Sequence, residues 1–445
     1  MKEILSCSLM ELVKKIQSRE LSPVELMTAT LSRIDETHDD LNAVVAMVDR
    51  DFLMTQAAES EKRVMNNEAK PLEGIPLGVK DLEDVKGLVT SMGSVPFRDN
   101  IAENDSTQVE RLKAAGAIVV GKTNAPEFGY TAITKNLVYG ATRSPWNLER
   151  TPGGSSGGSA AALAGGVLPL VTSSDGGGSV RIPASFVGAF GMTTKTVEDA
   201  ALFLDQVAGP SPYDPNSLPS SNISYSETVK EPLPRKLKIG FSPDLGYAVV
   251  QSDVAASVEE GVKVFEKIGH KVESLKSGPP MLGSEWAIFG GFELSAKLNH
   301  LFAKHEKDFG RAFLSGIKGI GHLTPEWWKE LMTKRASLND WCAEVFDRFD
   351  LLVTPTVPFD PPLAKGPFPE ETEGRKQVPV GVAALTIPFN LSWHPAATVR
   401  AGMSKAGLPV GLQIVGPRHR EDLILQAAYA YETEHPWHPD WPTTW

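Results

Sequence analysis

The stretch 150–191, RTPGGSSGGSAAALAGGVLPLVTSSDGGGSVRIPASFVGAFG, constrains this chain's fold more than any other part of it. Glycine, serine and alanine dominate, so backbones can approach closely and turns can tighten. A flexible linker of that composition has no use for apolar runs, yet this one holds AAALAGGVLPLVT, which places it inside a folded body. Upstream, from Leu72, short apolar runs punctuated by glycine (GIPLGVKD, then AIVVGKT) flank the helical STQVERLKAAG, an alternation that predicts α/β.

The same texture recurs downstream. LKIGFS reads as a strand, SDVAASVEEGVKVFEKIG as a helix stopped at Gly269, and HKVESL as a second strand, which together make a β-α-β unit. Residues 326–350 read as helix, LLVTPT and GLPVGLQIVG as strands, and REDLILQAAYAYE as a closing helix. At the N-terminus two capping boxes, Ser8 to Glu11 and Ser22 to Glu25 with Pro23 at the first helical position, predict helices that cover a core. Proline and serine crowd into 209–234, which reads as an extended surface connection. No internal repeat is visible.

Charge and cysteine usage narrow the function classes. With 44 basic against 55 acidic side chains the formal net charge is -11, which supplies no positive field for nucleic acid or an anionic membrane. Cys7 and Cys342 lie far apart without CxxC spacing, so neither a disulfide framework nor a cysteine metal site is expected, and a reducing cytoplasm fits. The first twenty residues are charged every few positions, unlike a signal peptide, and no stretch has the length of a membrane span. Nine histidines include no HxH or HExxH grouping, so no metal site is predicted.

Three motifs compete for the chemistry. GAIVVGKT (116–123) satisfies GxxxxGK[ST], but Ala117 to Val120 are β-formers and Asn124-Ala125-Pro126 interrupts any following helix, so the strand reading is preferred over a phosphate loop. GGSSG (153–157) fits the GxSxG elbow of α/β-hydrolases, with Ser155 as nucleophile and His394 or His419 as base, although TRSPWNLERTP before it does not read as a strand. The third reading joins Lys80, at the end of the uncharged run 75–79, with Ser155 and Ser156 in the glycine loop and Ser179 after three glycines. A serine hydroxyl becomes a nucleophile only when a base removes its proton, and a lysine serves as that base only if burial keeps it neutral. Gly176, Gly177 and Gly178, without Cβ atoms, can present backbone N–H groups to the negative oxygen of an attacked carbonyl.

Taken together, PLEGIPLGVKD (71–81), GKTNAPEFGY (121–130), YGATRSPWN (139–147), RTPGGSSGGSAAALA (150–164), SSDGGGSVRIPA (173–184) and GLPVGLQIVG (407–416) resemble the amidase signature family across the chain. The resemblance implies one α/β/α domain over 1–445, built around a central mixed, twisted β-sheet, with 71–191 holding the signature core and triad. It implies cleavage of C–N acyl bonds through an acyl-enzyme: Ser179 attacks, Ser155 on a cis peptide bond relays the proton, and neutral Lys80 accepts it. Gly176, Gly177, Gly178 and the Ser179 N–H would form the oxyanion hole, with Ser156, Asp175 and Arg181 as supports. No cofactor is implied. A small-molecule amide or carbamate is the expected partner, with neither nucleic acid nor membrane, and the protein is expected as a monomer or homodimer.

Within that family the rival is the glutaminase component of a tRNA-dependent amidotransferase. A binding module that has lost activity is disfavoured by the intact triad positions. Three departures bear on substrate. The family continues from Phe190-Gly191 through a phrase like LKPTxGR and a surface loop, whereas here Met192-Thr-Thr-Lys-Thr-Val-Glu-Asp follows at once: either the sequence omits the residues of that loop, or the chain lacks a wall of its pocket, and in the second case an open site is expected. Trp393 stands where glycine is usual and Arg400 where proline is, and Trp393 is a candidate for stacking on an aryl substrate.

Overall fold

The computed structural model describes residues 2–191, 193–220, 222–233, 235–318, 320, 324–437 and 441–442. Nine strands build its two main sheets: β1 (Val44–Met47), β2 (Pro76–Lys80), β3 (Ile118–Thr123), β4 (Leu170–Val171), β5 (Lys238–Phe241), β6 (Lys271–Ser274), β7 (Leu351–Pro355), β8 (Ala396–Met403) and β9 (Pro409–Val415). The first sheet has the order β1-β3-β2-β4 and the second β8-β9-β7-β5-β6. Both are mixed. β1 runs antiparallel to β3 while β2 runs parallel to β3 and β4; β9 runs antiparallel to β8 and β7, and β5 parallel to β7 and β6.

The α/β class follows from the sequence patterns, and among the described residues the mixed strands hydrogen-bond as two sheets. What joins them is the Gly/Ala-rich segment. Helix Gly157–Ala164 and helix Arg181–Val187 pack on one another, the first against β2 and β3 and the second against β8 and β9. Every residue of both is buried. Such closeness demands small residues: a Cβ on Gly158 would lie 2.3 Å from Asn124 N. Both N-terminal capping boxes form, and helix Ser252–Lys267 ends before Gly269, whose φ of 95° suits a residue without a Cβ.

β2 is buried along its whole length, as an interior parallel strand should be. Its register sets Lys80 opposite Thr123 at the carboxyl end of the sheet. β3 passes through the GxxxxGK[ST] match, so that segment is strand; Lys122 Nζ donates to the Glu83 carbonyl and to Thr90 Oγ1. Inside 209–234 the chain is not uniformly extended: helix Tyr225–Thr228 buries Tyr225, and Val229 follows it into the core.

After Gly191 the chain turns back at once. Gly191 N–H donates to Thr398 O on β8 (2.9 Å), and Thr193 N–H donates to Phe190 O (2.9 Å). A Cβ on Gly191 would sit 2.5 Å from Thr398 N. Met192 lies outside the described residues. Thr196 then caps helix Val197–Val207. Among the described residues no helix is long and apolar enough to cross a membrane.

Candidate active site

Lys80, carried to the end of β2 by an uncharged strand, is completely buried. Its backbone N–H donates to Thr172 Oγ1 (2.9 Å), which ties the strand end to the segment that precedes the glycine loop. Its Nζ sits 2.9 Å from Ser155 Oγ, 2.8 Å from Ser156 Oγ and 2.9 Å from Ser174 Oγ. These three partners are hydroxyls, and a fourth is the Ser174 carbonyl at 3.4 Å. Burial pushes the amine down from 10.5 to about 8, against the opposing pull of the Glu83 and Asp175 carboxylates. Burial in turn pushes Glu83 up to about 7, with the Lys80 charge acting against it.

Ser155 is 3% exposed, and the Gly154–Ser155 peptide bond is cis. Gly129 faces it, since a Cβ there would come within 3.2 Å of Ser155 Oγ. Ser156 does more than tie backbone, because its hydroxyl touches the lysine directly while its N–H donates to Ser179 O (3.2 Å). That backbone bond holds the two serine segments together. Among the described residues no hydrogen bond joins Ser179 Oγ to Ser155 Oγ; Ser179 lines a cavity instead.

Asp175 and Arg181 form the scaffold under the glycine loop. The carboxylate accepts from Gly178 N (2.6 Å), Val180 N (3.0 Å), Arg181 Nη2 (2.9 Å) and Asn390 Nδ2 (2.9 Å). Burial alone would raise its pKa, but the Arg181 guanidinium and these donors outweigh burial and hold it well below the usual carboxylate range. Arg181 also donates from Nη1 to Thr386 O (3.1 Å) and Gln413 Oε1 (2.7 Å). The expected trio of oxyanion donors is corrected here: Gly178 spends its one N–H on Asp175 and has none left for a substrate oxygen. Gly176, Gly177 and Ser179 N–H have no acceptor among the described residues.

The cavity at Ser179 measures about 540 Å³ and is walled by Ile182, Trp286, Phe359, Phe368 and Val382, with Glu370 and Lys376 also on its lining. Trp393, expected as a stacking partner there, lines a separate cavity of about 330 Å³ together with Asp175, Arg181, Gly191 and His394. It closes helix Ile387–Ser392 with φ 62°, a left-handed position that favours glycine, and is 61% exposed. Buried Arg400 donates to Trp437 O (2.7 Å) and lies over the Trp146 ring, a packing role.

The elbow reading with Ser155 as nucleophile is also corrected. Ser155 Oγ has a lysine for its partner, residues 151–154 are loop rather than strand, and His394 pairs with Ser392 Oγ (2.8 Å) and stacks on Phe346. His419 lines another cavity, beside Asp422. Sequence reasoning missed Ser174, Thr172, Trp286, Thr386 and Asn390. Only Ser174 and Thr172 carried a signal, by lying next to the glycine run.

A family model described as Amidase matches residues 25–193 and 189–425. Its two stretches overlap at residues 189–193, around the Gly191 turn. An acylamidase of Rhodococcus erythropolis is 33% identical, with 96% of this chain and 95% of the relative covered. A glutamyl-tRNA(Gln) amidotransferase subunit of Alkaliphilus metalliredigens (strain QYMF) is 30% identical, with 97% of each covered. Among solved structures, a bacterial aryl acylamidase of the amidase signature enzymes superposes with a TM-score of 0.93 at 28% identity, with 100% of this chain and 99% of that one covered. The 6-aminohexanoate cyclic dimer hydrolase complexed with substrate gives 0.85 at 26% identity, with 99% of each covered.

Proposed function

Because the chain belongs to the amidase family and is an amidohydrolase, we propose that it acts as one domain, with its triad inside 71–191, on amides with an apolar or aryl acyl part, Ser179 being the nucleophile, Ser155 the relay and Lys80 the base. The observation that carries this reading is the Lys80 amine, fully buried among three serine hydroxyls with its pKa lowered to about 8.

The neutral amine takes the Ser155 hydroxyl proton as Ser155 takes that of Ser179, and the Ser179 oxygen bonds to the carbonyl carbon. The carbonyl electron pair moves to oxygen, where N–H groups of Gly176, Gly177 and Ser179 receive it. As the tetrahedral species collapses the C–N bond breaks, and the amine leaves with a proton returned from Lys80 through Ser155. Water, deprotonated by the same route, then releases the acid from Ser179. Esters and carbamates share the tetrahedral step, so both are side substrates in this reading.

The apolar walls Ile182, Phe359, Phe368 and Val382 support an apolar acyl group. A second reading, the glutaminase component of an amidotransferase, draws support from the 30% identical amidotransferase relative. Purified protein assayed alone against aryl amides and against free glutamine separates the two. Turnover of an anilide without any partner, lost in Ser179→Ala with the fold intact, is the expected result; a Ser179→Ala protein at full rate ends the proposal.

A further inference from the structure

Two successive peptide groups in the glycine run are held in different ways. In the Gly177–Gly178 peptide both ends are occupied: Gly177 O accepts from Thr386 Oγ1 (2.7 Å), and Gly178 N–H donates to Asp175 (2.6 Å). In the Gly176–Gly177 peptide only the carbonyl is held, by the indole N–H of Trp286 (2.7 Å), and the Gly177 N–H has no acceptor among the described residues. A trans peptide is planar, with its C=O and N–H pointing oppositely, so whatever fixes the carbonyl also aims the N–H.

The indole is pressed into place as well. A Cβ on Gly177 would fall 2.4 Å from Trp286 Cζ2, so ring and backbone are in direct contact. Trp286 sits in the first turn of helix Gly283–His305, whose Gly283 is packed so closely that a Cβ would lie 2.8 Å from Pro379 O. The same indole walls the Ser179 cavity.

We propose that Trp286 is a positioning residue that aims the Gly177 N–H at the developing oxyanion through its hydrogen bond to Gly176 O, while its ring forms a wall of the acyl pocket. The inference rests on the hydrolase reading above. A larger acyl group bears on the ring that orients the donor, so acyl size should change kcat as well as KM.

The test separates the N–H from the wall. Trp286→Phe and replacement of Trp286 by 3-benzothienylalanine, an isostere without the N–H, are compared with wild type on an anilide. They are also compared with an aryl trifluoromethyl ketone, whose carbonyl carbon bonds to Ser179 Oγ while its π pair becomes an oxyanion and the serine proton passes to Lys80. Expected is a fall in kcat of about 10- to 100-fold with KM within about threefold, and an equal loss of affinity for the ketone. The affinity of the hydrocarbon analogue of the acyl group, which carries no oxygen for the donors to bind, should not change. Retention of kcat within about threefold in the isostere, or losses confined to KM and analogue affinity, overturns the proposal. If Trp286→Phe does not fold, the isostere decides. A wild type that turns over no amide and forms no ketone adduct refutes the hydrolase reading and this inference together; an active wild type with an unaffected isostere refutes this inference alone.

Discussion

The sharpest expectation concerns pH. Moving Lys80 from 10.5 to about 8 amounts to about 3 kcal/mol of preference for the neutral amine. With a pKa of about 8, roughly one molecule in ten holds a neutral lysine at pH 7 and about half do at pH 8. Turnover of an anilide should therefore rise about fivefold in kcat/KM between pH 7 and 8 and level off above pH 9. Glu83 is the first of the charges that favour the ammonium, after burial, which acts the other way. Substituting Glu83→Gln removes that charge, so the rising limb should move toward acid and the activity at pH 7 should increase relative to the plateau. The assay is kcat/KM from pH 5.5 to 10 for both proteins. A wild-type profile flat through this range, or a Glu83→Gln limb that stays put or moves toward alkali, refutes the assignment of Lys80 as the titrating base.

Other expectations follow from the contacts. Lys80→Met should lower kcat by about a thousandfold or more without lowering thermal stability, since a neutral chain of similar length replaces an amine that burial disfavours as a charge; calorimetry beside kinetics decides. Asp175→Asn leaves the buried Arg181 without its carboxylate and should cost about 3 kcal/mol in urea unfolding. Because the folded pKa of Asp175 is held below its ordinary value, its contribution is present above about pH 4 and is lost as pH falls through the folded value. The variant should lack that acid limb, and an unchanged limb would place the acid sensitivity elsewhere. His394→Ala should keep anilide turnover within about threefold, because the imidazole pairs with Ser392 and not with either active serine; complete loss would restore a histidine mechanism.

What the sequence determined on its own is the set of local features. Two capping boxes, the β-α-β unit whose helix stops before Gly269 and the buried strands carrying Lys80 and Lys122 all rest on periodicity and backbone preference within a few residues. The small-residue segment announced close packing, and the signature motifs announced the family. Tertiary structure decided the rest. The contacts of Lys80 with Ser155 and Ser156 span 75 and 76 residues, that of Trp286 with Gly176 spans 110, and that of Asn390 with Asp175 spans 215. A run of three glycines leaves every backbone N–H sterically open, so nothing local distinguishes Gly177 from Gly178. Asp175, locked to Arg181 and to a distant asparagine, claims the second, and an indole from a helix a hundred residues away orients the first. Which donor stays free for chemistry is thus set by the direction of hydrogen bonds between remote segments, and direction is a property of the packed chain that residue types in order do not carry.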